Sequence, residues 1–312
     1  MTLVVNVDNF VVAETHRMMH DLQRDAGGVN RFLHNREPAA TDRQTVIRLN
    51  RDTLYSFAVV DISAGATLTL PEHGERYLSA MVVNEHHYIN RIFHDAGSYD
   101  LTVAQFDTPY VVVAVRTLAD PQDPADLAAV AALQDRIELT GTSAVPFAMP
   151  DYDPVTFGET RDALLALARN LADLSGMFGR KDEVDPVRHL IGTAAGWGGL
   201  PSSEAIYLGV DPRLPVGTYE LTVGEVPVDG FWSISVYNAG GYFEPNDRDA
   251  YTVNSVTGVR NADGTVTVRF GDHPAGLPNV IPVPEGWNYL VRLYRPREEI
   301  RDGSWTFPAL TP

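Results

Sequence analysis

The hydrophobic positions of this chain follow two different periods, and each period predicts a different kind of element. Near the N-terminus, apolar residues recur at helical spacing, so a helix is predicted over residues 8–24, and Gly27-Gly28 would end it. Its apolar face is predicted to contain Phe10, Val11, Met18 and Leu22. Strands are predicted from alternating positions over residues 44–61 (including Val46), 67–70, 76–84 and 110–116. The first third of the chain is therefore predicted to be β-rich with one helix.

The middle of the chain has a different pattern, which predicts helices. Alanine and leucine at helical spacing predict one helix over residues 125–137 and a second over 156–174. A third is predicted to begin at Asp185-Pro186, because aspartate is a common N-cap and proline suits the first helical position. The glycines at 196–199 would end it.

From Ala205 the alternating pattern returns and predicts a second β-rich region. The turn signal at 261–264 lies between the segments 257–259 and 265–270, which predicts a hairpin. The predicted fold class is mainly β (α+β), with two antiparallel β-sandwich or jelly-roll-like units joined by a helical segment. The predicted domains are residues 1–120 (β-rich, with an N-terminal helix), 121–200 (a helical connection) and 201–312 (β-rich).

Two windows of the predicted β-regions match each other without a gap. Residues 77–88 read YLSAMVVNEHHY, and residues 231–242 read FWSISVYNAGGY. The first window has Glu85-His86-His87 where the second has Ala239-Gly240-Gly241. The second copy therefore shows what the turn needs for its backbone alone, and the ionisable residues of the first copy exceed that need.

Further matches follow in the same order along the chain. Ile206-Tyr207 corresponds to Leu54-Tyr55, and residues 289–295 correspond to 110–116, each with tyrosine six residues before arginine. Short hairpins share residue types through β propensity alone, but a constant order is not explained by propensity. The sequence predicts a weak internal repeat.

Composition and charge narrow the range of functions. The chain has 41 acidic and 24 basic residues, a net charge of −17, and such a field repels phosphate backbones, so no nucleic-acid partner is expected. There is no cysteine, which excludes disulfides, thiolate nucleophiles and cysteine-based metal sites.

The first twenty residues and the lengths of the apolar runs predict the location of the protein. The first twenty residues have no basic region and meet Asp8 and Glu14 early, unlike a secretory signal. No run of apolar residues reaches the length of a membrane span. A cytoplasmic, acidic protein with no membrane partner is expected, its partner is expected to be a small-molecule ligand or substrate, and a homo-oligomer is left open.

The densest group of ionisable residues is Glu85-His86-His87-Tyr88 with His94. Two histidines and a carboxylate suit zinc or non-haem iron, so His86, His87 and His94 are candidate ligands of a divalent metal. Histidines also serve as acids and bases near neutral pH, so Glu85, His86 and His87 are candidate catalytic residues. The alternative is a solvated hairpin loop.

Two other segments carry candidate site residues. Arg51 could grip an anion in bidentate fashion, with Asp52 and Tyr55 helping to bind the substrate, or this segment could hold an ion pair that fixes a strand. His189 follows Asp185 by one turn and could act as a second acid or base, although capping is the simpler role for Asp185.

Aromatic residues and a histidine pair complete the candidates. The aromatic substrate-binding candidates are Tyr88, Trp197, Trp232 and Tyr237. Core packing would use the same residue types. His16 and His20 lie one turn apart near Glu14, but without a full ligand set this spacing is interpreted as a polar helix face.

Known cofactor and nucleophile motifs do not occur in the chain. No phosphate-binding loop, dinucleotide fingerprint or serine-hydrolase elbow is found, so no nucleotide cofactor is expected.

Four segments together resemble a known combination of domains: Asn50 to Tyr55, Asp182 to His189, Asp229 to Ser233 and Asp302 to Trp305. This set is similar to the bacterial family that joins domain of unknown function 1254 to domain of unknown function 1214. The resemblance implies a β-rich first domain, a helical connection and a β-rich second domain, and it implies no reaction. Many members carry an export signal, and none is expected for this chain, because its first twenty residues do not resemble one.

The functional hypothesis is an enzyme that acts on a small molecule. Its chemistry would be acid–base catalysis by histidine and carboxylate, or catalysis assisted by a divalent metal. The alternative hypothesis is a non-catalytic module for ligand binding or assembly.

Overall fold

A computed structural model describes residues 2–44, 47–169, 171 and 173–310. The chain divides into two compact units. The first unit comprises residues 1–36, 54–118 and 128–202. The second unit comprises residues 37–53, 119–127 and 203–312.

The strands in the first half of the chain form two sheets around one core. These strands are β1 Leu33–His34, β2 Thr53–Asp61, β3 Ala66–Leu70, β4 Leu78–Asn84, β5 Ile89–Phe93, β6 Gly97–Leu101, β7 Tyr110–Leu118 and β8 Glu138–Gly141. The sheet orders are β1-β2-β7-β4-β5 and β6-β3-β8. Because alternate residues of a strand point to the same face, Val113 and Val60 from the larger sheet meet Leu68 from the smaller one, all fully buried. Each such side chain contributes about 1.5–3 kcal/mol to folding.

The second unit also has two sheets, and they share a hydrophobic core. Its strands are β9 Ala205–Val210, β10 Tyr219–Val223, β11 Trp232–Tyr237, β12 Thr252–Asn254, β13 Val266–Phe270, β14 Val280–Ile281 and β15 Asn288–Tyr294. The sheet orders are β12-β11-β15-β9 and β10-β13-β14, and the β13–β14 pair is parallel. Ile234 and Val291 from the larger sheet and Val268 from the smaller one belong to the shared core.

Six helices accompany the sheets among the described residues. They are α1 Phe10–Ala26, α2 Val103–Phe106, α3 Pro124–Gln134, α4 Pro154–Ala168, α5 Pro186–Gly196 and α6 Glu298–Arg301. None of these helices has the length and apolarity that crossing a bilayer requires.

Helices α1, α4 and α5 pack on one another in the first unit. Phe10 and Ala13 of α1, Leu164 of α4 and Ile191 of α5 form a buried cluster with Val5. The structure therefore groups residues 128–202 with the first unit, whereas the sequence predicted a separate connection over 121–200.

The mainly β fold class with antiparallel sheets is confirmed, and so is the start of α5. Asp185 caps that helix, because its Oδ1 accepts hydrogen bonds from the amides of Val187 and Arg188, each at 2.9 Å, and Pro186 occupies the first turn. Jelly-roll packing and the internal repeat stay predictions.

Three expectations about elements need correction. The strand predicted over 44–61 begins at Thr53, and Val46 lies outside the described residues. The predicted hairpin of 257–259 with 265–270 is wrong, because β13 pairs with β10 instead. The interpretation of α1 as having a polar face at His16 is also wrong, since His16 is only 9% exposed.

Candidate acid–base site in the first unit

The turn after β4 is held by one asparagine side chain. The Oδ1 atom of Asn84 accepts hydrogen bonds from the amides of His86 and Tyr88, both at 3.0 Å. The amide of Asn84 also donates to the carbonyl of Tyr88 at 3.0 Å. This closed turn places His87 at a φ of +60°, in the left-handed region.

The matching turn after β11 has the same hydrogen bonds. Oδ1 of Asn238 accepts from the amides of Gly240 (3.0 Å) and Tyr242 (3.1 Å). Gly241 has a φ of +83° at the position that His87 occupies in the first turn. Glycine suits this backbone without strain, so the turn itself does not require a histidine.

The imidazole of His87 is fully buried, and both of its nitrogens are hydrogen-bonded. Nε2 accepts from the amide of Gly198 at 2.9 Å, and Nδ1 lies 2.8 Å from the hydroxyl oxygen of Thr193. That hydroxyl donates to the carbonyl of His189, so Nδ1 of His87 must be the donor in its own contact. His87 is therefore neutral, with its proton on Nδ1.

Burial explains why this neutral form is stable. Desolvation, together with the nearby His189, holds the pKa of His87 well below its usual value. A neutral histidine whose two nitrogens are both bonded has no lone pair to offer a metal or a substrate. The contacts of His87 make it a structural residue.

The three histidines predicted as metal ligands do not form a site. His86 is exposed, His87 is bonded as described, and Nδ1 of His94 lies 3.0 Å from the carbonyl of Leu78. Across the described part of the chain, no group of three or more histidine, aspartate or glutamate side chains is arranged to hold a metal ion.

His189 is buried within a stack of rings. Its Nδ1 lies 2.9 Å from the carbonyl of Met177, and its Nε2 lies 3.1 Å from the carbonyl of His86. The ring stacks on Tyr88 at 5.0 Å and on His87 at 5.3 Å between centroids. These contacts fasten α5 to the turn after β4, and they place Tyr88 against protein rather than in an open pocket.

Trp197 and Gly198, in the loop after α5, also contact His87. The indole stacks on His87 at 5.3 Å, and its Nε1 donates to the hydroxyl of Thr15 at 3.1 Å. Arg116 donates through Nη2 to the carbonyl of Gly198 at 2.8 Å. The loop after α5 is thereby fixed to α1 and β7.

Glu85 belongs to a different set of contacts, which forms a chain of three ionisable groups. Its Oε2 lies 3.1 Å from Nε2 of His16, and Nδ1 of His16 lies 3.0 Å from the hydroxyl of Tyr152. The other carboxylate oxygen accepts from the amide of Tyr110 at 3.2 Å, which fixes the carboxylate. Glu85, His16 and Tyr152 are referred to below as the proton chain.

The donors and acceptors of the proton chain agree with one another. With His16 neutral and its proton on Nε2, that proton is donated to Glu85, and Nδ1 can accept the hydroxyl proton of Tyr152. A carboxylate that orients a histidine, which in turn contacts a hydroxyl, is the arrangement by which proteins activate a hydroxyl group.

Three separate segments position the proton chain. His16 lies in the middle of α1, and Glu85 lies in the turn after β4. Tyr152 forms a β-bridge with Leu3, just before Asp153 caps α4. Each group is therefore held by regular backbone structure.

The environment keeps the Tyr152 hydroxyl protonated. Burial raises the pKa of Tyr152, and the negative charge of Glu85 raises it further. Phe147 packs its edge against His16 at 5.1 Å and shields the chain from water. Tyr152 is thus a neutral phenol that is bonded to a potential base.

Tyr152 also lines a pocket of about 390 Å³. The lining residues are Arg17, Met149, Tyr152, Pro154, Phe157, Gly158 and Arg161. They include two guanidinium groups, and the acids that pair with them, Glu14 and Asp21, are not among the lining residues, so the walls themselves combine apolar surface with positive charge. This combination suits a small molecule that has an apolar body and an anionic group.

A buried carboxylate fixes the two arginines. Glu14 is 3% exposed and accepts from Arg17 through Nε at 3.0 Å and through Nη2 at 2.8 Å, and it also pairs with Arg161. Nε of Arg161 is buried without a hydrogen-bond partner among the described residues, and the guanidinium lies 5.5 Å from the centre of the Phe157 ring. Because this Nε is closed off from solvent, a ligand would contact the exposed part of the Arg161 side chain, which is 30% exposed.

Arg51 and Asp52 are residues of the second unit and have structural contacts there. Arg51 donates to the carbonyl of Ala39 and lies 5.0 Å from the centre of the Tyr251 ring. Asp52 is fully buried and accepts from the hydroxyl of Thr252 at 2.9 Å. Neither residue is among those that line the pocket beside Tyr152.

The aromatic candidates in the second unit lie in two buried clusters, Trp232 in the core shared by the sheets and Tyr237 in a smaller cluster with Phe243 and Tyr251. Trp232 is 3% exposed and packs its edge against Phe307 at 5.9 Å. Tyr237 is fully buried and donates to the carbonyl of Leu49 at 2.8 Å. Their contacts are those of core residues.

Tyr55, the last substrate-binding candidate, lies in the first unit on β2. Its ring stacks on Phe57 at 5.5 Å and lies 5.2 Å from the guanidinium of Arg116. Phe57 belongs to the same strand, and the contact with Arg116 joins β2 to the neighbouring β7.

From the sequence, Glu85 was predicted as a catalytic candidate and His16 only as part of a polar helix face. Tyr152 was not singled out, and neither were the two arginines of the pocket. One signal was available on α1, where Glu14 and His16 fall within a stretch that also buries Ala13. Polar residues on the buried side of a helix often mark a site, because burial without partners would be costly.

Comparisons with known proteins confirm the two domains that the sequence resembles and their order. The family model described as protein of unknown function (DUF1254) matches residues 29–89, and that described as protein of unknown function (DUF1214) matches residues 215–298. The chain joins DUF1254 to DUF1214. The DUF1254 match contains Glu85, whereas His16 and Tyr152 lie outside both matched ranges. No curated protein matches the chain significantly.

Two crystal structures are similar to the whole chain in fold. The VPA0106 protein from Vibrio parahaemolyticus is 18% identical, with a TM-score of 0.75 and coverage of 98% of this chain and 97% of that one. An uncharacterized protein from Burkholderia cenocepacia is 12% identical, with a TM-score of 0.53 and coverage of 97% and 87%. At these identities the likeness extends to the fold that carries DUF1254 and DUF1214, and not to a reaction.

Proposed function

We propose that the first unit is an enzyme that removes a proton from a small anionic molecule. One observation carries this proposal: Tyr152 lines the pocket and its hydroxyl contacts His16, which is oriented by Glu85. A hydroxyl, an imidazole and a carboxylate in this order form a general acid–base system.

The proton chain defines the proposed step. The hydroxyl proton of Tyr152 moves to Nδ1 of His16, and the phenolate that results takes a proton from the substrate. The negative charge of Glu85 stabilises the imidazolium that His16 becomes. One proton has then left the substrate, and one has been gained by His16.

The pocket supports the class of substrate. Arg17 and Arg161 would bind the anionic group, and Phe157 and Met149 would contact an apolar body. An aromatic or branched aliphatic keto acid has both parts, and its carbon next to the carbonyl carries an acidic hydrogen. We therefore choose keto acids as the first probes.

Exchange of this hydrogen with solvent deuterium tests the proposal. The purified chain is incubated with phenylpyruvate or 2-oxoisovalerate in D2O, and the loss of the hydrogen signal is followed by proton NMR. We expect wild-type protein to accelerate exchange, and we expect Tyr152→Phe to lower the rate by about 100-fold or more, as for loss of a general acid–base group.

Tyr110→Phe is the matched control for Tyr152→Phe. Tyr110 is also a tyrosine whose pKa is raised by burial, but its hydroxyl donates to the carbonyl of Val145 at 3.0 Å instead of contacting His16. Tyr110→Phe should catalyse exchange at the wild-type rate. No acceleration by wild type over buffer, or equal rates in wild type and Tyr152→Phe, would overturn the proposal.

A variant at Gly158 separates the pocket from the stability of the fold. Gly158 lines the pocket within α4, and a Cβ there would meet nothing within 4 Å. Gly158→Leu should therefore fill the pocket and abolish exchange, while it leaves the helix at least as stable because leucine is a better helix former than glycine. Exchange at the wild-type rate in a folded Gly158→Leu protein would place the reaction elsewhere.

We also infer that the two β-rich units are related copies with jelly-roll-like character. Besides the matching turns, Ser79 of β4 pairs with Arg116 of β7, and Ser233 of β11 pairs with Arg292 of β15. This register supports a correspondence of Arg116 with Arg292, three residues earlier than the sequence match of 110–116 with 289–295. Superposition of experimental structures of the two units tests it, since unmatched positions for these pairs would contradict it.

A further inference from the structure

We infer that the second unit binds a small, uncharged, apolar molecule in a cavity beneath its C-terminal segment. This inference is independent of the proton chain, because all the residues involved belong to the second unit.

The cavity has a volume of about 470 Å³ and three walls. Strand β9 supplies Ile206, Leu208 and Val210, which alternate along the strand and so share one face. Strand β15 supplies alternate residues from Tyr289 to Leu293, and Gly303 with residues 305–310 forms the third wall. The volume lies within the range of about 300–1,000 Å³ that is usual for small-molecule sites.

The chemistry of the lining selects the ligand. It is almost wholly aliphatic and aromatic, and of its side chains only Tyr289 can ionise. Burial raises the pKa of Tyr289, against a smaller opposite effect from the backbone of Leu310, so this group is a neutral phenol at physiological pH. A charged group inside the cavity would have no ionic partner among the lining residues, which costs several kcal/mol or more.

The shape of the cavity favours a small molecule over a second protein chain. The protein's own C-terminal segment already crosses this face of the sheet, with Trp305 and Phe307 in the lining. The apolar side chains of β9 are nevertheless only half-buried, so apolar surface stays exposed within a concave space. A flat partner surface would not fill a concavity that is closed on three sides, whereas a small apolar molecule would.

Fluorescence of N-phenyl-1-naphthylamine, an uncharged apolar probe, tests the inference. We expect the probe to bind the wild-type chain at one saturable site. 1-Decanol should displace the probe. Decanoate at pH 8 should bind at least tenfold more weakly than 1-decanol, which is about 1.4 kcal/mol of discrimination against the charged group.

Leu208→Trp should fill the cavity and lower the affinity for the probe by tenfold or more, which is about 1.4 kcal/mol. Val256→Trp is the matched control, since Val256 is an exposed apolar residue of the same unit (59% exposed) and lies outside the cavity lining. This control should bind the probe as wild type does. If Leu208→Trp does not fold, Leu310→Arg replaces it, because Leu310 lies in the C-terminal wall and needs no repacking of a strand.

Several outcomes would overturn the inference. They are absence of saturable probe binding to wild type, equal binding by both tryptophan variants, or displacement by decanoate as strong as that by 1-decanol. A wild-type dimer that does not bind the probe and that Leu208→Trp dissociates would show instead that the face is an interface between copies of the chain.

Discussion

At the scale of single residues, the imidazole of His87 connects three segments: the turn after β4, α5 and the loop after α5. Its two nitrogens hold Thr193 of α5 and the amide of Gly198 in the following loop, and its ring lies against His189 and Trp197. Removing a buried hydrogen-bonding group leaves its partners unsatisfied, which is more costly than losing the bonds themselves.

His87→Asn should therefore destabilise the protein by about 2–3 kcal/mol, measured by urea unfolding at neutral pH. Asparagine is chosen because it tolerates the left-handed backbone at this position, so the loss reports the side chain rather than strain. His86→Asn is the control: His86 is exposed, and its replacement should change the free energy of unfolding by less than about 0.5 kcal/mol.

The same pair of proteins also has an expected pH dependence. Folded His87 has a lowered pKa and stays neutral, whereas the unfolded chain takes up a proton at this residue below a pH of about 6.5. Protonation of the unfolded state lowers the stability of wild type by up to about 1.4 kcal/mol per pH unit below that value. The stability difference between wild type and His87→Asn should shrink as the pH falls from about 7 to about 5, and a constant difference would contradict a neutral His87.

The charge of Glu85 should be detectable at Tyr152. Because Glu85 contributes to the raised pKa of Tyr152, Glu85→Gln should lower that pKa, while burial keeps it above the ordinary value. Carbon NMR of proteins labelled at the tyrosine Cζ measures this titration. Tyr99, whose raised pKa is due to burial and Asp95, is an internal control and should not change. An unchanged Tyr152 would show that the contact through His16 does not form in solution.

At the scale of elements, the close packing of α5 depends on a glycine. A Cβ at Gly192 would lie 2.7 Å from the Cβ of Met177, which cannot swing away as the end of a long side chain could. Gly192→Ala should therefore cost about 1–3 kcal/mol through overpacking, measured by urea unfolding.

Gly158→Ala on α4 is the matched control, because its Cβ would enter open space. It should stabilise the protein by about 0.5–1 kcal/mol, since alanine is favoured over glycine inside a helix. Equal effects of the two substitutions would mean that α5 does not approach Met177 as described.

Local sequence patterns predicted elements well where local interactions determine them. The start of α5 follows from Asp185 and Pro186, and the left-handed cap of α1 follows from Gly27. The partner of β13 did not follow in this way, because Val223 of β10 pairs with Val266 across more than forty residues. A turn signal specifies a turn, but it does not specify which strands pair.

At the scale of the whole molecule, the candidate site joins residues that are far apart in the chain. Glu85 could be selected from sequence because its neighbours are unusual for a turn, but His16 and Tyr152 are each more than sixty residues away from it. Their contact depends on how α1 and the segment before α4 pack, and no local pattern contains that information. The same holds for Arg161, which reaches Glu14 only through the packing of α4 on α1.

The net charge of −17 makes an anion pocket a specific feature rather than a general one. The molecule as a whole repels anions, so binding of a carboxylate depends on the guanidinium groups of Arg17 and Arg161 at close range. Charge elsewhere on the surface should matter little, and this allows a sharp control with an arginine outside the pocket lining.

Titration of the whole chain with benzoate tests the central claim most directly, since it reports pocket and proton chain together. In protein labelled at the tyrosine Cζ, we expect the Tyr152 signal to shift saturably with benzoate. Arg161→Gln should raise the Kd at least about tenfold. Arg24→Gln should leave the Kd within about twofold, because Arg24 is an exposed α1 arginine outside the pocket lining. A Tyr152 signal that benzoate does not move, or equal losses in both variants, would contradict the claim.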